Sequence, residues 1–473
     1  MKSLKLTIVF FLLSIVFAQA QKWSLKECIE YALNNNLTIQ QSALNAELTH
    51  LQLKQNKFNL LPTVNGQAGQ NNNFGRTVDP FTNQFTTQEI NSMQLNINAG
   101  LTLFNGLQLQ NAIAQSKLDY KAGKQDLEKV INDISLAVAT AYLQSLFAME
   151  QKKATELRLQ SSSKQEEFIK KQVLAGVLPE GSLYDINAQV ATEELAVLNA
   201  GNQVIQSLLT LRQLMNLDSA ETEFNIIVPD LALPDQSIAN YTAQQIYINA
   251  LRVQPDVQSA ETRVLSARKG TAIAVGRLSP QISMFGALGT GYSSALRALD
   301  GTPLLKGFLP NGDVTSTGDL VLSPDFDVKL KGVSISNQFD QNFNKSFGFS
   351  LQLPIFNGLS TQNSIKRAKL SVKQSELNLT TVQNNLFKNI QQAVTDVKAA
   401  QSRYDAAQKS ANANKLAYNY ADKRFIAGLA TSLDFLNAKN NLARADSELL
   451  QARFDLIFKI KVLEFYNGNK LTL

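Results

Sequence analysis

The sequence contains two diverged copies of one unit, and this duplication constrains the fold more than any other feature. The segment 24–37 resembles 242–255 at an offset of 218 residues, whereas the Leu-Phe-Asn-Gly-Leu segment 103–107 resembles 355–359 at an offset of 252 residues. A fixed internal offset is the signature of a repeated structural unit, and its increase of about 34 residues requires one insertion in the second copy. The Gly-, Pro-, Asp- and Ser-rich stretch 293–342 is the predicted insertion, read as a long loop.

Each copy predicts the order helix, strand, loop, strand, long helix, turn and return helix. The first repeat covers 21–216, with strands at about 62–75 and 91–104, a long helix at about 106–174 and a return helix at about 182–216. The second repeat covers 242–466, with strands at about 280–292 and 345–356, a long helix at about 360–426 and a return helix at about 432–466. A connector, 217–241, joins the copies, and 467–473 is a C-terminal tail.

The predicted strands carry the clearest periodic signal. Apolar side chains alternate with polar ones from Met93 to Leu103, and the pattern recurs from Phe347 to Ile355. Strict alternation over about eleven residues fits a tilted membrane-spanning strand, and it also fits a half-buried strand of a soluble sheet. Four strands cannot close a barrel, since the smallest membrane barrels have about eight. If these strands span a membrane, strands from several subunits must therefore complete the barrel.

The two long predicted helices contain no proline, and apolar residues recur in them at three- and four-residue spacing. Some seventy residues would extend roughly 100 Å, at about 1.5 Å per residue. Such a length suits a structure that crosses a periplasm, and the helices alone also permit a coiled-coil stalk. The predicted fold class is mainly α with a small membrane β component: two tandem helix–β-hairpin–helix repeats, coiled-coil α-barrel helices and four strands per chain.

The N-terminus indicates the compartment. Lys2 and Lys5 precede the apolar run Leu6–Phe17 and an Ala-Gln-Ala site, so 1–20 is a predicted signal peptide. No later stretch reaches membrane-spanning length without polar interruption, so the mature protein is expected to insert into a membrane through strands.

His50 and Cys28 are the only residues of their types, which leaves no residues for a metal site or for Cys–His catalysis. We therefore expect no enzyme activity, no cofactor, no metal site and no nucleic-acid binding.

The ordered set of landmarks resembles the TolC family of outer-membrane efflux proteins over essentially all of 24–466. It includes a proline before the first strand of each hairpin, the Phe-Asn-Gly strand exit, and the turn 424–429 followed by 433–438. The resemblance implies a homotrimer that completes a twelve-stranded β-barrel in outer-membrane lipid and a long α-helical tunnel in the periplasm. It also implies that the inner end of the tunnel meets a periplasmic adaptor (membrane fusion) protein and an inner-membrane transporter.

Family members narrow this inner end with rings of acidic residues, and Asp434 matches the first of them. Asn437 occupies the second position, where an acid is usual, which puts the cation selectivity of the gate in question. Asp185 occupies a similar place in the first repeat. Ser182 with Asp185, and Thr431 with Asp434, also resemble capping boxes at helix starts. Three carboxylates around one narrow lumen would repel each other, which would favour raised pKa values or bound cations.

The resemblance also assigns adaptor docking to the two inner turns, which are Ala175-Gly176-Val177 and Ala427-Gly428-Leu429. Glycine at each reversal equally fits a purely structural role, since it tolerates positive φ at a helix C-terminus. Four nearby cations either pair with acids to hold the end closed or are solvated charges: Lys170, Lys171, Lys423 and Arg424.

The function implied by the resemblance is a passive outer-membrane exit duct of a tripartite efflux or type I secretion system, located in the outer membrane and extending into the periplasm. A secreted coiled-coil scaffold or adhesin, and a stand-alone nutrient porin, are the alternatives. Neither the exported substrate nor the class of transporter follows from the sequence.

Overall fold

The structure is a computed structural model that describes residues 22–79, 81, 83, 85–86, 89–217, 224–228 and 241–469. The predicted signal peptide, most of the connector and residues 470–473 of the tail lie outside the described residues. The chain divides into two compact units. The helical unit comprises Met1–Gln52, Gln115–Ala267 and Leu370–Leu473, and the sheet unit comprises Leu53–Ala114 and Arg268–Lys369.

The helices of the two halves of the chain have closely matched lengths. The first half contains α1 (Leu25–Asn35, 11 residues), α2 (Leu37–Phe58, 22), α3 (Gln108–Leu174, 67) and α4 (Glu180–Met215, 36). The second half contains α5 (Ala243–Val253, 11), α6 (Pro255–Gly276, 22), a short α7 (Ile335–Gln341), α8 (Ser360–Ile426, 67) and α9 (Ser432–Tyr466, 35).

The short helices α1 and α5 begin in the same way. Ser24 caps α1 through the amide of Glu27, and Thr242 caps α5 through the amide of Gln245, each in a reciprocal capping box. Two free amides at each helix start are thereby satisfied, which fixes where the helix begins.

Two large apolar cores, and a smaller cluster at the helix reversals, hold the described part of the helical unit together. In one, Cys28 of α1 packs with Tyr142 of α3 and Met215 of α4. Leu217, Phe224 and Ile226, which belong to the described part of the connector, are buried in the same core. In the other, Ile246 of α5 packs with residues of α8 and α9. Cys28 is fully buried and its pKa is raised to about 12 by burial, so it is an inert packing residue.

The sequence had suggested that no stretch after the signal peptide reaches membrane-spanning length without polar interruption. Helix α3 corrects this expectation. By length and composition, it is the one described helix apolar enough to cross a membrane. Val138, Tyr142 and Leu146 of this helix are buried in the helical core at 0–1 % exposure. In the single chain, 33 % of the apolar window of this helix is buried in this way.

The sheet unit is built on four antiparallel strands in the order β12-β7-β5-β2. These are β2 (Thr63–Asn73), β5 (Ile90–Phe104), β7 (Gln281–Ser293) and β12 (Asn344–Gln352). The remaining strands are short or lie in loops: β1 (Lys22–Trp23), β3 (Thr77–Val78), β4 (Phe85–Thr86), β6 (Asn225–Ile226), β8 (Arg297–Leu299), β9 (Leu304–Val314), β10 (Leu320–Asp327) and β11 (Leu330–Gly332).

The stretch 293–342 is largely structured rather than a plain loop. β9 pairs with β10, and β8 pairs with β11. Helix α7 is then fixed to the end of β7, because the side chain of Gln338 bonds both backbone groups of Ser293 at 2.8 and 2.9 Å. The Gly and Pro content had suggested a loop, but these residues occupy turns and edge positions of an exposed hairpin.

The predicted last strand, 345–356, is wrong at its C-terminal end. β12 stops at Gln352, whose partner is Gln281, the first residue of β7. Pro354 has no amide hydrogen to donate, and β7 offers no residue beyond Gln281 to pair with. The apolar alternation that continues to Ile355 therefore lies outside the strand.

Candidate functional site

The candidate inner end of a channel consists of the two helix reversals of the helical unit. In the second turn, the Gly428 amide donates to the carbonyl of Phe425 at 3.0 Å, and the Leu429 amide donates to that of Arg424 at 2.8 Å. The first turn repeats this pattern: Gly176 donates to Val173 at 3.0 Å and Val177 to Gln172 at 2.9 Å. Both turns are therefore Schellman motifs.

One apolar cluster joins the two turns. We call it the turn cluster; its buried members are Ile169, Ile186, Phe425, Phe435 and Leu436. The rings of Phe425 and Phe435 stack with their centroids 5.0 Å apart. Because α3 and α4 contribute the two isoleucines and α8 and α9 the rest, both turns belong to one packed end of the helical unit.

The tips of both turns remain exposed. Val177 and Leu429 are each 68 % exposed, and a Cβ added at Gly176 or Gly428 would meet nothing within 4 Å. The predicted docking residues thus lie on the surface, beside one another in the same packed end. Their use by an adaptor stays a prediction.

Asp434 caps the helix that it begins. Its carboxylate accepts hydrogen bonds from the Thr431 hydroxyl at 2.8 Å and the Thr431 amide at 3.2 Å, and its own amide donates to the Thr431 hydroxyl. In the single chain these bonds, with a smaller contribution from Arg424, hold the pKa of Asp434 below its usual value.

Asn437 and Asp185 are both exposed in the single chain, and their part in a gate stays a prediction. The expected capping box of Ser182 with Asp185 is wrong. Helix α4 starts two residues earlier than predicted, with Pro179 as its N-cap and no side-chain cap. Proline pre-sets the backbone for a helix start, which places Ser182 inside the first turn, where it is buried. Asp185 is therefore available for another role.

The four cations near the turns make no ion pair within the described part of a single chain. Arg424 instead donates to the carbonyl of Leu429 at 2.9 Å, and its guanidinium lies 5.9 Å from the ring of Tyr420. Arg424 therefore stabilises the second turn through its contacts with Leu429 and Tyr420. Pairing of Lys170, Lys171, Lys423 or Arg424 with acids of another copy stays a prediction.

Sequence reasoning missed an exposed apolar stripe on α4. We call it the α4 stripe; it consists of Leu195, Leu198, Ile205 and Leu209, which are 50–68 % exposed. Their spacing follows a heptad pattern, which keeps them on one face of the helix and is typical of a coiled-coil seam. The spacing could have been read from the sequence, but only the structure shows that no other part of the described chain covers it.

The sheet presents two contrasting faces. The strand registers align the apolar residues of all four strands on one side: Val64 and Ala68 of β2; Met93, Leu95, Ile97, Ala99 and Leu101 of β5; Met284 and Leu288 of β7; and Phe347, Phe349 and Leu351 of β12. The other side, within these four strands, carries Ile90 and otherwise Asn, Gln, Ser, Thr, Gly, Ala and Phe residues, with no formal charge. Lys345, which pairs with Leu288 on the apolar side, is the one charged residue of the four strands. This contrast is typical of a barrel wall between lipid and water.

Gly428→Ala is expected to destabilise the inner end by about 1–2 kcal/mol, because a Cβ is strained in the left-handed region. The φ of Gly428 is +70°, and its surroundings are open, so strain is the only cost. Gly181→Ala is the matched control, since Gly181 lies inside α4 with equally open surroundings and should gain roughly 0.5–1 kcal/mol of helix stability. Thermal unfolding followed by circular dichroism measures both; equal shifts would contradict the strain argument.

The fold is that of the TolC-like outer-membrane channels. The crystal structure of CusC superposes with a TM-score of 0.72 at 18 % identity and covers 96 % of both chains. That of the Campylobacter jejuni CmeC outer membrane channel gives a TM-score of 0.73 at 19 % identity, covering 94 % of this chain and 85 % of the other.

Residues 28–217 and 246–457 match the outer membrane efflux protein family, and the chain belongs to this family. The outer membrane efflux protein BepC of Brucella suis biovar 1 is 23 % identical over 394 residues, covering 81 % of this chain and 73 % of BepC. The cation efflux system protein CusC of Escherichia coli K12 is 20 % identical over 436 residues, or 91 % and 83 % of the two chains. The predicted family, the outer-membrane location and the role in efflux are thereby confirmed.

Proposed function

We propose that three copies of this chain close one twelve-stranded barrel and one helical duct, with the two tandem repeats of each chain as its building units. The observation that carries this proposal is the open sheet. β2 and β12 are its outer strands, and each has one edge with no partner among the described strands. Open edges are not tolerated in lipid, whereas β12 of one copy can pair with β2 of the next.

The α4 stripe supports assembly independently of the sheet. Leu198 and Ile205 are 66 % and 68 % exposed in the single chain, which is unusual for large aliphatic side chains in a regular stripe. A helix of a neighbouring copy would bury them. We therefore place the seam between copies of the helical duct along this stripe.

In this assembly the apolar face of the sheet meets outer-membrane lipid, and the uncharged polar face lines the lumen. The duct conducts passively, and energy comes from an inner-membrane transporter that is coupled through a periplasmic adaptor at the two inner turns. CusC is named for cation efflux and BepC for efflux in general. The class of cargo in this protein is set by its transporter.

Purified full-length protein in planar bilayers tests the proposal. We expect discrete channel openings, an oligomer of three copies by light scattering in detergent, and heat-modifiable migration in SDS. Fractionation should place the protein with outer membranes. A monomer without channel activity would contradict the assembly.

We further propose that Asp434, Asn437 and Asp185 line the gate at the inner end. Each is exposed on α9 or α4 near the two turns, and Asp434 is held ionised by Thr431. Because Asn437 occupies the second position, three copies supply one ring of carboxylates at the inner end, from Asp434, instead of two rings. Repulsion within that ring would act against the pKa lowering seen in the single chain.

Asp434→Ala is expected to increase single-channel conductance and to weaken block by divalent cations, with a larger effect when Asp185→Ala is added. The variant also removes the cap of α9, so Thr431→Ala is the control: it removes the same cap and keeps the carboxylate. If both variants change conductance equally, the cap and not the charge is responsible. Unchanged conductance and unchanged divalent block in Asp434→Ala would contradict a gate at this position.

A further inference from the structure

The insertion in the second half of the chain carries a two-stranded antiparallel ribbon that belongs to no larger sheet. We call β9 and β10, residues 304–327, the ribbon; among the described strands they pair only with each other. The ribbon follows the end of β7 and precedes β12, whereas α6 and α8 join the opposite ends of these two strands. A two-stranded hairpin alone is at best marginally stable in water, so the ribbon is expected to need a packing partner.

One face of the ribbon is entirely apolar. Residues that pair directly across two strands lie on the same face, and the register pairs Leu320 with Val314 and Leu322 with Pro310. Pro324 pairs with Phe308 and Phe326 with Leu305 on the same side. We call these eight residues the ribbon face; two of them are prolines and six are large apolar side chains. The opposite face is mixed, because Ser323, Asp325 and Asp327 pair there with Leu309, Gly307 and Leu304.

The ribbon face is exposed in the single chain. Its six large side chains, from Leu305 to Phe326, are 46–62 % exposed. On β10, Val321, Ser323 and Asp325 point to the opposite face and are less exposed than their apolar neighbours. A hairpin that worked alone in water would show the reverse pattern, and a contiguous apolar patch of this kind marks an interaction surface. Another molecule is therefore required to cover it.

The distribution of charge argues against a membrane as the covering surface. The ribbon carries one lysine against four aspartates. Its root, residues 295–303 and 328–333, carries three basic residues and one acid, Asp300, which pairs with Lys331 at 3.0 Å. Basic segments are attracted to anionic lipid surfaces, whereas acidic ones are repelled. The root therefore suits the headgroup region, and the ribbon, with a strand of about 36 Å at 3.3 Å per residue, suits the water beyond it.

We propose that the ribbons of three copies pack on one another through the ribbon face and cover the outer mouth of the duct. This inference rests on the proposed function, which brings three ribbons to one mouth. β12 follows the ribbon and offers the open edge at which the next copy is expected to pair, so each ribbon starts beside that seam. Closed threefold symmetry lets all three ribbon faces turn toward one axis, with the acidic residues outside in water.

Neighbouring cysteines on β10 test the contact between copies. In full-length protein with Cys28→Ala, Leu322→Cys lies on the ribbon face and Ser323→Cys on the opposite face. We expect a short bis-methanethiosulfonate cross-linker to join two copies through Leu322→Cys, which gives a dimer band on denaturing gels. Ser323→Cys is the matched control and should give monomers.

The rate of cysteine labelling tests burial of the ribbon face. In the single chain Leu322 is more exposed than Ser323, so Leu322→Cys would react faster with a hydrophilic maleimide. Packing of three ribbons reverses this order. In the assembled protein we expect Leu322→Cys to react at least about tenfold more slowly than Ser323→Cys, because burial of an apolar side chain is favourable by more than that ratio requires.

Access to the lumen tests whether the packed ribbons cover the mouth. Asn98→Cys, on the uncharged face of the sheet, would be labelled from outside whole cells with a bulky hydrophilic maleimide. Adding Phe308→Ser and Leu322→Ser should raise this labelling rate at least about tenfold, since polar side chains weaken the apolar packing. The control pair, Leu309→Ser and Val321→Ser, changes the opposite face and should leave the rate unchanged.

The outcomes separate the ribbon contact from the channel itself. If the protein forms no oligomer and no channel, the proposed function fails. If it forms both, but Leu322→Cys neither cross-links nor reacts more slowly than Ser323→Cys, the ribbon contact alone is overturned. Leu322→Trp in protein with Trp23→Phe reports the membrane alternative: quenching of its fluorescence by brominated lipid would place the ribbon face on lipid and overturn the proposal.

Discussion

Replacing Leu198 and Ile205 with glutamate is expected to abolish the oligomer. Both side chains lie in the α4 stripe and are about two-thirds exposed in the single chain. Burying each at a seam is worth about 1.5–3 kcal/mol, and an unpaired carboxylate there would cost more still. Since the change recurs in every copy, the effect is multiplied around the ring. Light scattering in detergent should report monomers, and planar bilayers should show no openings.

The matched control for this variant is Asn199→Glu. Asn199 is exposed on the same helix, directly after Leu198, but lies off the stripe. It adds one carboxylate in the turn of Leu198, against two in the double variant, and we expect it to leave the oligomer intact. Loss of assembly in the control, or a stable trimer of the double variant, would show that the seam lies elsewhere.

Ile97→Arg is expected to prevent insertion into the outer membrane. Ile97 lies on the apolar face of the central strand β5, paired with Gly66 on one side and Leu288 on the other. Arginine near the middle of a lipid-facing strand costs about 2–4 kcal/mol, and an assembled barrel would carry it three times. We expect the variant to be lost from the heat-modifiable outer-membrane fraction.

Asn98→Arg tests the assignment of the two faces with the adjacent residue. Asn98 is paired with Asn65 and Ala287 on the uncharged face. An arginine there would project into a water-filled lumen, so the variant should insert normally and shift ion selectivity toward anions. Equal loss of both variants would contradict a lumen on this side.

The sequence predicted most of the elements because their signals are local. Alternation from Met93 to Leu103 located β5, and the Thr431–Asp434 spacing identified the cap of α9. Two of the errors also had local causes. Pro179 starts α4 before the apparent cap at Ser182, and Pro354 ends the pairing of β12 although the apolar alternation continues.

The buried hydrogen bonds that Ser162 makes with Glu193 and Lys439, and the α4 stripe, could not be predicted in the same way. Ser162, Glu193 and Lys439 are far apart in the sequence, and each alone reads as an ordinary solvated residue of a helix. Only the packing of α3, α4 and α9 shows that they are buried together. The heptad spacing of the stripe can be read from the sequence. However, a stripe that is exposed in the single chain and one that is buried within it have the same spacing. Only the structure shows that these side chains are exposed.

The equal lengths of α3 and α8 limit how this protein can change in evolution. Each has 67 residues, and each ends in a turn that contributes to one shared apolar cluster. A deletion of two turns in α3 alone would raise its turn by about 10 Å and pull Ile169 away from Phe435. A shorter or longer duct therefore requires matched changes in both long helices and in both return helices. The lengths of these four helices, which set how far the duct extends into the periplasm, must therefore change together.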